Sequence, residues 1–128
     1  MVEANALPAD GAQRPGLVTT LAALTLASGI DNLFFSIGIT GLLVLATIGI
    51  GLVLCAPFTL LPAILGVFEI VYGARLLSER PTLRPNRVIA SLEIATLLFA
   101  NPIGVAVGII ALVIYNDESV KRYFAGAA

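Results

Sequence analysis

The residues of this chain whose types and spacing could do chemistry inside a membrane are Glu69, Glu93 and Asp31. Each lies in or beside a long apolar run. An ionisable group at the centre of a helical span costs about 2.5 to 3.5 kcal/mol on insertion scales, so it seldom stands there without a partner or a purpose. Glu69 precedes Arg75 by six residues, and Glu93 follows Arg87 by six. If the arginine-bearing segment between them joins an antiparallel helical hairpin, the arginines mark the membrane surface and both carboxyls lie at one level, about 9 Å deeper. Two carboxylates facing each other there would repel; they could share a proton, or hold a cation together with backbone carbonyls. The simpler expectation is that each glutamate reaches the headgroup zone or pairs with Arg75, Arg84 or Arg87, which fixes the hairpin and does nothing more. Asp31 is expected to cap or snorkel near the end of the first span, with Asn32 free to bridge helices by hydrogen bonding.

Small residues accompany these acids at helical spacing. Gly66, Glu69 and Gly73 share one stripe; Ala90, Glu93, Leu97, Ala100 and Gly104 share another; Thr19, Ala23 and Ala27 lead to Asp31. Gly104 and Gly108 form a small-xxx-small motif that extends back to Ala100 and lets another helix approach closely; packing within the bundle is the expectation, dimerisation the alternative. Helices touch where side chains are small, so the carboxyls are predicted to face protein.

Much chemistry is excluded. The chain has no histidine, which removes histidine-ligated haem, chlorophyll and zinc and histidine general bases. Cys55 is the single cysteine, so no disulfide forms within one chain, and in its apolar run it reads as an inert thiol. No basic face suits nucleic acid, and no catalytic motif is visible, so neither an enzyme nor a resident cofactor is expected.

The elements that must position the acids follow from hydropathy. Of 128 residues 59% are hydrophobic and 12% charged, against about 25% charged in a soluble domain, so the solvent is mostly lipid. The reading is an all-α, small transmembrane helical bundle without a soluble domain. Residues 1–16 form a polar tail. Residues 17–77 are too long for one span of about 20 residues and suit three, near 17–37, 40–56 and 58–77. Gly38, Thr40 and Gly41 offer the first turn, and Pro57 with Pro62 the second. Residues 78–87 form an arginine-rich loop. Residues 88–115 make a fourth span, which as a straight helix would be about 42 Å long against a hydrocarbon core of about 30 Å. At its middle, Asn101-Pro102 predicts a kink; a full break into two half-helices that return to the same side is the alternative. Three basic residues on one side against four on the other leave the orientation open. The tail 116–128 is expected to lie at the interface, with Val120, Tyr123 and Phe124 towards the membrane, Lys121 and Arg122 at headgroups, and Arg75, Arg84, Arg87 and Tyr115 as further anchors.

Two runs, LGVFEIVYGARLL (Leu65 to Leu77) and NPIGVAVGIIALVIYNDESVKRYF (Asn101 to Phe124), resemble small multi-span bacterial integral membrane proteins of unknown function. The resemblance covers about a third of the chain. It implies a bacterial inner (cytoplasmic) membrane and a helical bundle, and supplies no activity. The expected role is an accessory or scaffolding subunit that packs with other transmembrane helices, in a homo-oligomer or a larger membrane complex. The alternative is a small proton or cation transport component using Glu69 and Glu93.

Overall fold

In lipid a backbone must satisfy its own N–H and C=O groups, which for a chain this apolar means helices. The computed structural model describes residues 14–78, 83–99 and 101–126 and is all-helical, with no strand among the described residues. The N-terminal tail to residue 13, Arg80 in the loop, and Ala100 lie outside the described residues. The elements are α1 (Gly16–Thr47), a short α2 (Ile50–Leu54), α3 (Ala56–Leu77), α4 (Arg87–Ala95) running into a 3₁₀ turn (Thr96–Phe99), α5 (Pro102–Tyr115) and α6 (Glu118–Gly126). α1 and α3 are each long and apolar enough to cross a membrane; a third candidate span arises only if α5 and α6, bent by 74°, count as one.

Two expectations are corrected. The turn at Gly38, Thr40 and Gly41 is not made: the first predicted span runs on through the first half of the second as one helix of 32 residues, and the rest of the second is the turn and α2. Each glycine inside a helix costs only about 1 kcal/mol, less than leaving backbone groups unpaired in apolar surroundings. The chain reverses instead at Ile48 and Gly49, both left-handed with φ of 54° and 87°, and Thr47 Oγ1 accepts from the Gly51 N–H at 2.7 Å to close the turn. α3 then starts at Ala56 with Pro57 in its first turn, where the missing N–H costs nothing.

The second correction is larger. Residues 88–115 are not one kinked span: the chain reverses fully at Asn101-Pro102, and α4 and α5 lie antiparallel. The Asn86 N–H at the start of α4 donates to the Tyr115 hydroxyl at the end of α5, 3.3 Å away. Asn101 is extended (φ −99°, ψ 92°), and its Oδ1 accepts from the N–H groups of Ile103 and Gly104 at 3.1 and 3.2 Å. A side-chain cap followed by proline at the first helical position makes a clean helix start, which turns a kink into a break. Thr96 Oγ1 donates back to the Glu93 carbonyl and faces the Asn101 carbonyl at 3.3 Å, closing the tip. With 14 residues, α5 is about 21 Å long, too short to cross alone.

α1 and α3 pack antiparallel through Gly29 and Gly66. A Cβ on Gly29 would sit 2.7 Å from the Gly66 carbonyl oxygen, and one on Gly66 would meet the Gly29 carbonyl at 2.6 Å. At the end where α1 starts, Val18, Leu21, Tyr72, Leu76, Ile89, Ile114, Val120 and Phe124 form the apolar core. Val120 and Phe124 thus face the bundle, not the membrane as the tail reading has it. α6 turns back over an end that would otherwise leave this core open, and the Phe124 ring lies 6.2 Å from that of Tyr115. Arg14 Nη1 donates to the carbonyls of Leu76 and Leu77 at 3.0 and 2.7 Å, neutralising the negative end of α3.

Candidate functional site: an acid pair beneath a helical hairpin

The face of α1 that meets the other helices carries Thr25, Ser28, Asn32 and Ser36, all buried. This polar stripe runs one register away from Thr19, Ala23 and Ala27, which are exposed. Ser36 Oγ donates to the Thr59 carbonyl of α3, one turn before Pro62. From α3 comes Glu69 and from α4 Glu93, both 0% exposed. Gly66 and Gly73 flank Glu69 on its helix face against α1, and Gly104 and Gly108 bring α5 against α4 around Glu93. A Cβ on Gly108 would lie 2.6 Å from the Ala90 carbonyl and 2.9 Å from the Glu93 side chain.

The two carboxyls lie side by side, within reach of each other and of Ser28. Neither pairs with Arg75, Arg84 or Arg87, so the simpler expectation for the glutamates is corrected: the helix rotation that buries their glycine-flanked faces turns them inward. Those arginines are exposed, as are Lys121 and Arg122, and the ion pair found among the described residues is Lys121 with Glu118 at 3.1 Å. Glu69 Oε1, both oxygens of Glu93 and Ser28 Oγ have no hydrogen-bond partner. Unpartnered buried polar atoms are costly and few in folded proteins, so these four, from three neighbouring residues, make this the place in the bundle most in need of a proton shared among them or of another donor. No group of three or more His, Cys, Asp or Glu gathers among the described residues.

Glu69 Oε2 does have a partner, Asn32 Nδ2 at 2.9 Å. Asn32 Oδ1 in turn accepts from Asn101 Nδ2 at 2.9 Å, and the same nitrogen donates to Asp31 Oδ2 at 3.0 Å. Asp31 therefore does not cap or snorkel at a helix end, because α1 continues to Thr47; it binds the hairpin tip. Leu97, on the predicted Glu93 stripe, is 66% exposed, since the 3₁₀ turn advances the chain by a different angle per residue and ends that stripe.

On the side of the arginines the site is closed by two tyrosines. The hydroxyls of Tyr72 and Tyr115 lie 2.9 Å apart, Tyr72 donates to the Arg84 carbonyl at 3.1 Å, and the Asn86 N–H donates to both. Tyr115 is thus a buried latch rather than a surface anchor, whereas Tyr123 is half-buried. Sequence reasoning missed Ser28, Thr96 and the Tyr72–Tyr115 pair, and saw Asn101 as the place of a kink or break without its hydrogen-bonding role. The spacing Thr25, Ser28, Asn32, Ser36 and an asparagine directly before proline were the available signals.

Comparison with the profiles of known protein families, with curated proteins and with solved structures finds no match to this chain.

Proposed function

We propose that the protein is a small membrane component that binds and passes a proton or a monovalent cation at Glu69 and Glu93. The observation that carries this reading is the set of four unpartnered oxygens from Glu69, Glu93 and Ser28, fully buried and without a basic residue beside them. Two acids and one hydroxyl offer hard oxygen ligands for a small cation, or a place where two like charges share one proton. A divalent ion would want more carboxylates than the two that meet here.

The reading includes a topology. α1 and α3 span the membrane, and α4 and α5 form a re-entrant hairpin at whose tip Thr96 and Asn101 are buried and the freed backbone groups are met by Asn101 Oδ1 and Thr96 Oγ1. The finer expectation of four spans is replaced in this proposal by two spans and the hairpin. The start of α1 and all of α6 then lie on one side, together with Arg14, Arg75, Arg84, Arg87, Lys121 and Arg122, the six basic residues among the described ones. The open charge count of the four-span layout becomes one-sided, and the positive-inside rule makes that side cytoplasmic. The bacterial inner membrane follows from the resemblance of the two C-terminal runs, and no enzymatic activity is part of the proposal.

A second reading, an accessory or scaffolding subunit, is favoured by a different feature. Between α3 and α4 an apolar groove of about 670 Å³, lined by Leu61, Phe68, Leu92 and Phe99 among others, opens sideways. It suits a neighbouring transmembrane helix or lipid.

The test is ion flux in proteoliposomes under an imposed proton or sodium gradient. The wild-type protein is expected to conduct, and the double variant Glu69→Gln/Glu93→Gln to fold and conduct nothing. Equal flux in both, or none in either, contradicts the transport reading; in that case co-purification with a defined partner in mild detergent supports the accessory one.

A further inference from the structure

The buried amides between the hairpin tip and the acid pair have a fixed polarity. Asn101 Oδ1 accepts two backbone N–H groups, from Ile103 and Gly104. Only an oxygen can do that, so the Asn101 amide cannot flip. Its Nδ2 spends both hydrogens, one on Asp31 Oδ2 and one on Asn32 Oδ1. That fixes the second amide: with its oxygen towards Asn101, Asn32 must present Nδ2 to Glu69 Oε2. Flipping Asn32 would set an amide oxygen against the Glu69 carboxyl and two NH₂ groups against each other. The direction set by the cap of α5 is therefore transmitted through two side chains to one oxygen of one acid. No amide donor reaches Glu93: its two oxygens have no hydrogen-bond partner at 0% exposure, and beside them stand only the Ser28 hydroxyl and Glu69 itself.

We infer that Asn101 is a positioning residue which, through Asn32, holds Glu69 in place and leaves Glu93 as the member of the pair that takes up and releases the proton or cation. This rests on the transport reading above. The two acids are then unequal. A glutamine at 69 can still accept from Asn32 through its amide oxygen and point its NH₂ at Glu93, whereas a glutamine at 93 removes the exchanging group. The hairpin tip also becomes part of the site: anything that displaces the start of α5 releases Glu69.

The experiment uses full-length protein carrying Asn101→Ser. Serine is about as good a helix cap as asparagine, so the chain break is kept while the Nδ2 donor is lost. Two readouts are taken: the side-chain amide resonances of Asn32 in ¹⁵N-labelled protein, and proton or sodium flux in proteoliposomes for N101S, Glu69→Gln and Glu93→Gln separately. The inference expects N101S to fold, to shift or broaden the Asn32 amide pair and to lower flux; E69Q to keep reduced flux; and E93Q to lose it. It is overturned if Asn32 resonances are unmoved in N101S, or if E69Q abolishes flux while E93Q retains it. Should N101S fail to fold, Asn32→Leu, which removes the same link without touching the cap, takes its place, and unchanged flux there overturns the inference equally. If wild-type protein carries no flux at all, the transport reading fails, and the Asn32 resonances still decide whether Asn101 sets the polarity.

Discussion

The molecule contains two antiparallel helix pairs, α1 with α3 and α4 with α5, built on the same device and ending differently. Both are drawn together by glycines facing carbonyl oxygens, Gly29 against Gly66 in the first and Gly108 against Ala90 in the second. In the first pair, residues 16–47 carry no asparagine-proline or similar helix-starting signal, so α1 continues through Gly38 and Gly41 for 32 residues. The second contains one, Asn101-Pro102, and stops there. The contrast teaches that a glycine in helical conformation, such as Gly38 or Gly41, does not end a helix in an apolar chain; the left-handed pair Ile48-Gly49 does, and so does an asparagine cap followed by proline, which supplies partners for the N–H groups that the break would orphan. The polar site lies where the interrupted pair rests against the uninterrupted one, and Asn101 serves as both the cap and the link.

Several substitutions would break or sharpen this comparison. The largest effect is expected from Gly29→Leu, which drives a side chain into the Gly66 backbone. It should exceed the roughly 1 to 3 kcal/mol of ordinary overpacking and abolish the folded bundle in detergent unfolding followed by circular dichroism. Gly108→Leu should detach the hairpin while α1 and α3 stay paired; equal collapse in both would show that the pairs are not separable. Next comes Asn101→Ala. It loses a cap worth about 0.5 to 2 kcal/mol and strands Asn32 Oδ1 and Asp31, at about 1 to 3 kcal/mol for an orphaned buried group. Asn86→Ala, which removes only the cap on the Ile89 N–H at the surface end of α4, should cost about 1 kcal/mol. A smaller loss for Asn101 than for Asn86 in denaturant titration would contradict the linking role.

Ile48→Gly should stabilise by roughly 1 to 2 kcal/mol, since a β-branched residue holds a left-handed conformation there; no rise in Tm would argue that the reversal lies elsewhere. The smallest effect is at the exposed corner between α5 and α6. The Ser119 hydroxyl and N–H donate to Asp117 and hold its carboxyl below the ordinary value of 3.8. A lowered carboxyl contributes to stability above its ordinary range, and that contribution is lost as pH falls through the lowered value. Protection of the Ser119 amide, relative to its intrinsic exchange rate at each pH, should therefore fall on acidification below the usual aspartate range, and Asp117→Asn should remove that change in protection.

Much of this was legible in the chain itself. Composition dictated an all-helical apolar protein, and the glycine spacing around Glu69 and Glu93 put both acids on packed faces. Their similar distance from Arg75 and Arg87 matched their level once α3 and α4 were antiparallel. The length of α1 was not legible, because hydropathy cannot distinguish a glycine that turns the chain from one inside a helix. The hairpin is only one of two shapes the sequence allows, because proline alone permits a kink; the decisive cap of Asn101 depends on a side-chain geometry that spacing does not reveal. The inward turn of Tyr115 and Phe124 was hidden for a related reason: an amphipathic tail can bury its apolar face in lipid or against its own bundle, and the composition is the same for both.

The central claim is that Glu69 and Glu93 form one shared site. It is tested most directly by a double-mutant cycle on stability, with Glu69→Gln, Glu93→Gln and the double variant unfolded in the same detergent at the same pH. A shared site predicts a coupling well outside the roughly 0.3 to 0.5 kcal/mol within which independent positions add. Additivity within that margin would contradict it and leave two separate buried acids.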